Sequence, residues 1–156
     1  MAPLIEYLHA LAVAILVGKV VLLSFALAPI LAKSVEREQF GLVVRRLFPA
    51  YYALGMGTAI LGLVSLSGLA LIRGLSPSLL VAGGIWLIIL AAEAYCRSPL
   101  TPQSNEMRDR LKEQESRGAV DPALQTAWNR LHQRSVYLNS MVLFVGLCLI
   151  WLGQRL

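Results

Sequence analysis

Four long apolar stretches, each able to form about 20 residues of unbroken helix, leave this chain few folds to choose from. Residues 4–31, 47–72, 77–96 and 131–153 each cover the roughly 30 Å hydrocarbon core of a bilayer at about 1.5 Å per residue. No water is available at that depth to satisfy backbone groups, so each stretch must close its hydrogen bonds within itself as a helix. The expected fold is all-α: a polytopic membrane protein, one integral membrane domain of 156 residues, arranged as a four-transmembrane-helix bundle. Only 15% of the residues are charged, too few to solvate a surface of this size. Nucleic acid is not an expected partner, because the net charge of +5 is carried between the apolar stretches and suits lipid head groups better than a groove for DNA.

Basic residues set the orientation. The segments at 32–46 and 97–130, together with Arg134 just beyond the second, hold eleven of the fourteen Lys and Arg residues, including Lys33, Arg37, Arg45, Arg46 and Arg108. The other side holds Arg73 and Arg155, and Lys19 lies within a span. The positive-inside rule predicts that both segments are cytoplasmic and that both termini lie outside. No cleavable leader is expected, since residues 1–7 lack a basic region. Phe40, Val43, Val44 and Leu47 recur at helical spacing, which predicts a short interfacial helix over 35–47. Alternating charge over 104–117, with Glu106 four residues before Arg110, predicts a solvated helix ended by Gly118. Ser76-Pro77 and Asp121-Pro122 read as helix starts. The latter opens a fourth helix about 48 Å long, whose first third projects from the membrane.

Small residues mark the faces where helices meet in lipid. Gly55, Thr58, Gly62 and Ser65 form one seam; Ala10, Ala14 and Gly18 form another; Asn139, Gly146 and Gly153 recur every seven residues. These stripes are expected to face protein, within the bundle or in a homo-oligomer.

Polar residues inside the bilayer are the candidates for function, since an intramembrane charge costs about 2.5–3.5 kcal/mol. Lys19 sits twelve residues before Leu31, at mid-membrane by helical rise, with Thr58 at a comparable depth. It reads either as a cation or proton-accepting amine lining a polar cavity, or as an amine held against a hydroxyl or carbonyl. Glu93 is expected to pair with a basic loop residue such as Arg134; the alternative is a water-linked relay to Lys19. Lys19, Thr58, Glu93 and Asn139 make up a candidate polar path, with Tyr51, Tyr52 and His132 at its cytoplasmic mouth. Glu6 and His9 read as solvated. Met56, Met141 and Cys148 are weak candidates for a soft-metal path, though scattered sulfurs form no motif. Cys96 and Cys148 read as inert buried thiols. His9 and His132 belong near opposite surfaces and cannot be the two axial ligands of one heme, which leaves open a single-His site. No cofactor and no catalysis are expected, as no nucleophile has a base at matching depth.

Several segments resemble a known family. Glu38-Gln39-Phe40-Gly41 followed by Arg46-Leu47-Phe48-Pro49-Ala50-Tyr51-Tyr52 is similar to the FG…LFPxY signature of the transmembrane protein 205 family (the DUF4149 group). Arg97-Ser98-Pro99 resembles its exit from the third span. Arg130-Leu131-His132-Gln133-Arg134-Ser135 with Asn139 resembles its approach to the fourth. Lys19 and Glu93 depart from the pattern, standing where neutral residues are expected. The resemblance implies a four-span membrane protein without established enzymatic activity, for which export of small molecules, including soft metal complexes, has been proposed. The expected function is accordingly transport or efflux of a small molecule or soft metal complex. Two alternatives stay open: a non-catalytic scaffold that binds a partner through residues 104–117 and the projecting fourth helix, and a heme- or metal-binding protein.

Overall fold

The computed structural model describes residues 1–154 and 156, apart from the side chain of Arg37. The Arg37 side chain and Arg155, both counted in the charge asymmetry, lie outside the described residues. Four long helices carry the chain back and forth: α1 (Ala2–Ser34), α2 (Arg37–Arg73), α3 (Pro77–Ser116) and α4 (Pro122–Gly153). All four are long and apolar enough to cross a membrane. The fold is thus an all-helical, multi-pass integral membrane bundle.

The helices run past the limits that hydropathy suggests, because backbone bonding does not stop where the lipid does. The interfacial helix expected over 35–47 is the first part of α2, so Pro49 lies inside that helix rather than in its first turn. The charged helix expected over 104–117 continues the third span without a break. Both α1 and α3 contain a wide π-helical turn, at Leu22–Leu27 and Cys96–Leu100. Each sits at a proline that removes an amide donor, Pro29 and Pro99, and the wider turn absorbs the lost bond. The Cys96 carbonyl accepts from Thr101 twice, from its backbone amide and from Oγ1 at 2.7 Å. Ser76 caps α3 through the Leu79 amide, and Asp121 caps α4 through the Ala123 amide, as the two dipeptides predict. Gly118 adopts φ +78° just beyond α3, a conformation that favours glycine.

Short links make successive helices antiparallel neighbours, and α4 closes the ring against α1. Both termini and the α2–α3 turn occupy one end, called here the terminal end; the α1–α2 and α3–α4 links occupy the loop end. The core is a column of Ala12, Leu16, Leu69, Trp86, Ile89 and Leu149, all essentially inaccessible. Leu4, Phe25, Val64, Leu71, Leu80, Leu87 and Phe144 point outward, giving the barrel of helices the apolar exterior that lipid requires.

The small-residue seams divide in two. Thr58 and Ser65 are buried and return their hydroxyls to carbonyls of their own helix, while Gly55 and Gly62 admit side chains from α3. Gly146 lies against Val17 and Leu16. Ala10, Ala14, Gly18 and Gly153 are exposed on the outside of the bundle rather than packed within it. Near the terminal end α1 and α4 leave a groove of about 420 Å³ between them, walled by Ala10, Ala14, Gly153, Leu149 and Ile150.

Candidate functional site

The centre of the bundle is bridged along both diagonals by polar side chains. Across α1 and α3, Lys19 Nζ donates to Glu93 Oε1 at 2.6 Å, with side chains only 4% and 1% exposed. Across α2 and α4, Tyr51 Oη donates to Asn139 Oδ1 at 3.0 Å and Asn139 Nδ2 donates to Tyr52 Oη at 3.3 Å. The Asn139 amide also returns a proton to the Ser135 carbonyl at 2.8 Å, so its donors and acceptor are engaged.

Three ligating directions of the Lys19 ammonium are filled. Besides Glu93 it reaches the Tyr51 carbonyl at 3.4 Å, and it stands 4.0 Å from the centroid of the Tyr51 ring, where the π face attracts a cation. Tyr51 and Tyr52 are held by Phe48, stacked on Tyr52 with centroids 5.6 Å apart. Gly55 lets the pair rest directly on the α2 backbone, since a Cβ there would collide with the Glu93 carboxyl and Lys19 Nζ. Cys96, buried one turn below Glu93, completes the wall beside Tyr52. One atom stays unpaired: Glu93 Oε2 is buried without a hydrogen-bond partner.

This geometry corrects several expectations. Glu93 bonds Lys19 directly, neither through water nor to Arg134, whose guanidinium goes to Tyr95 Oη at 3.1 Å. Taking Leu31 and Cys96 as helix ends at matching levels separates the two side chains along the axis, whereas both helices continue beyond those residues. Counted from the Glu6–Arg73 ion pair at the terminal end, Lys19 lies about 20 Å in, and from the Ser76 cap Glu93 lies about 25 Å in. By this count both side chains lie about 20–25 Å from the residues that mark the terminal end. Thr58 does not meet Lys19; its hydroxyl bonds the Gly55 carbonyl at 2.8 Å, and Gly55, one turn nearer the loop end, makes the contact.

Asn139 joins the tyrosines, but His132 does not. It is exposed and stacks on Trp128 with centroids 5.6 Å apart. Seven residues place the two on one face yet about 10 Å apart along the axis, beyond the reach of one tyrosine pair. Met56, Met141 and Cys148 are half-buried, Met141 against the core. Among the described residues no three His, Cys, Asp or Glu side chains come together as a metal site.

Several polar contacts lie outside the predicted set. His9, expected in solvent, is 4% exposed, and its Nε2 accepts a hydrogen bond from Trp86 Nε1 at 3.0 Å. The proton of a neutral His9 therefore resides on Nδ1. His9 and Glu6 also line the terminal-end groove, and Glu6 is paired with Arg73 rather than merely solvated. Nothing in the run around Trp86 distinguishes it from an ordinary apolar core position. At the loop end, Lys112 on α3 pairs with Glu38 at the start of α2 and holds that carboxyl below its ordinary range.

A sequence profile described as a domain of unknown function, DUF4149, matches residues 11–113, about two thirds of the chain. That range begins within α1 and takes in α2, the Lys19–Glu93 pair and most of α3. No curated protein and no solved structure matches the chain.

Proposed function

The chain belongs to the DUF4149 family, and from that membership and the buried ion pair we propose a non-enzymatic membrane transporter for a small solute, captured here with its central passage closed. The order of its Phe40-Gly41, Leu47–Tyr51, Arg97-Ser98-Pro99 and His132–Asn139 segments supports, on this reading, membership of the transmembrane protein 205 group. The basic segments at 32–46 and 97–130 put the loop end in the cytoplasm and the termini outside.

The observation that carries the reading is the unpaired Glu93 Oε2 beside a fully engaged Lys19. A carboxylate oxygen buried without a donor costs about 1–3 kcal/mol or more, and a purely structural pair would gain by satisfying it. In a transporter the same oxygen is an open position for a proton, a water molecule or a cationic solute group. Polar side chains mark the route on both sides of it: Glu6, His9 and Ser65 toward the terminal end, then Tyr51, Tyr52 and Asn139 toward the loop end. Passage requires α1 and α3 to part. The two charges cancel while closed, which lowers the cost of keeping them in a low-dielectric interior.

Vesicles loaded with ethidium, as an organic cation, or carboxyfluorescein, as an organic anion, test this directly. Efflux of one probe faster from proteoliposomes than from empty vesicles, lost in both Glu93→Gln and a folded Lys19→Met/Glu93→Met double variant, supports the proposal. Flux in the double variant equal to that of the original protein would refute it.

A further inference from the structure

We propose that the loop-end cavity between α2, α3 and α4 is a binding site for a phosphate anion attached to an apolar body, with Arg108 as the anion-binding residue. The cavity has a volume of about 450 Å³, within the range of small-ligand pockets. Phe40, Leu42, Leu111 and Trp128 provide its apolar wall.

The charges around it are unequal in their commitments. Arg45 is paired with Asp109, and Lys112 with Glu38. Arg108 is half-buried and has no carboxylate partner among the described residues; its Nη1 donates to the Gly41 carbonyl at 3.1 Å. Burial and the neighbouring Arg45 both hold its guanidinium below the ordinary arginine value, with Asp109 opposing them. A bound anion would relieve both penalties at once. A guanidinium offers five donors in a planar fork, one of which is used among the described residues, and that fork matches the oxygens of a phosphate.

Position selects the rest of the ligand. Leu42 and Arg45 lie about 9–14 Å beyond Tyr51 along α2, which puts the cavity at the outer rim of the lipid head groups. A ligand held there can present its phosphate to Arg108 and lay an apolar portion on Trp128 and Phe40. Both a lipid head group and a dissolved phosphate compound have this chemistry, and the site is independent of whether the protein transports anything.

Binding to the purified full-length protein, measured by native mass spectrometry and by thermal shift, separates the cases. The probes are lysophosphatidic acid, lysophosphatidylcholine as the zwitterionic control, and inorganic phosphate. Lysophosphatidic acid should bind at least about tenfold more tightly than lysophosphatidylcholine, and Arg108→Gln should remove that preference. Arg108→Lys, which keeps the charge and loses the fork, should fall between them. Trp128→Leu should weaken the lysolipid but not phosphate, and Lys33→Gln, an exposed charge that does not line the cavity, should change nothing. Displacement of the lysolipid by millimolar phosphate would support the site with a dissolved anion as its occupant; resistance to displacement would support it with a lipid. Equal binding of the two lysolipids, or an undiminished preference in folded Arg108→Gln, would overturn the proposal.

Discussion

Replacing Lys19 with methionine shortens the side chain by one atom and removes its charge, leaving Glu93 with two buried oxygens and no donor. The ion pair is short, at 2.6 Å, and almost wholly inaccessible, so no solvent is at hand to compensate. Breaking a buried pair from one side costs about 3–5 kcal/mol. At about 2–4 °C per kcal/mol for a chain of this size, the melting temperature of Lys19→Met should fall by roughly 6–20 °C. Glu93→Gln should be milder, about 2 kcal/mol, because the amide oxygen still accepts from Lys19 and the Tyr51 ring still faces the ammonium. The double variant Lys19→Met/Glu93→Met removes both charges and should return to within about 1 kcal/mol of the original protein. Thermal unfolding of all four proteins in one detergent, followed by tryptophan fluorescence, completes the cycle. If Lys19→Met melts within 2 °C of the original, or if the double variant is no more stable than Lys19→Met, the two charges are not energetically coupled and the argument from their burial fails.

Glycine substitutions should split by position: Gly62→Ala drives a Cβ into the rigid Trp86 indole and should cost about 1–3 kcal/mol, whereas Gly18→Ala meets nothing within 4 Å and should gain up to about 1 kcal/mol from helix propensity, both read by thermal unfolding. Asn139→Ala removes the bridge between α4 and both tyrosines and should cost about 1–3 kcal/mol; Asn139→Leu should cost no less, since the tyrosine hydroxyls stay buried without it. The Glu38–Lys112 pair fastens the start of α2 to α3. Because the folded-state carboxyl of Glu38 titrates below its ordinary value of about 4.3, the fastening is complete above that pH and is lost as pH falls through the lower folded value. Amide exchange over residues 38–45 should therefore rise at acid pH relative to that of the mid-bundle helices, after correction for its intrinsic pH dependence, and Lys112→Gln should abolish the difference.

Much of the architecture was legible in the sequence because lipid imposes a single demand, an apolar helix of fixed length, and four stretches meet it. The two capping dipeptides and Gly118 were legible for an equally local reason, since their chemistry is completed within a few residues. Where helices end was not. Pro29, Pro49, Pro99 and the charged run after it look like interruptions, yet continuous helices absorb the prolines, Pro29 and Pro99 by widening a turn. That shift of levels is why Lys19 and Glu93 were both recognised as exceptional while their direct bond was missed. Asn139 with Tyr51 and Tyr52 could be anticipated from depth alone. The His9–Trp86 bond could not, because it depends on which faces of two non-adjacent helices turn inward. The outward position of Ala10 and Ala14 has the same origin: spacing marks a smooth face without saying what it meets.

The diagonal reach of the ion pair has a consequence for how such a chain is made. Lys19 leaves the ribosome 74 residues ahead of Glu93, an interval of about 4–15 s at 5–20 residues per second. A chain that enters the bilayer as it is synthesised must therefore shelter a lone cation through its first two crossings, with the carbonyl of Tyr51 and the rings of Tyr51 and Tyr52 as its companions. Arrival of the third crossing delivers the counter-charge, so the order of synthesis and the order of neutralisation coincide.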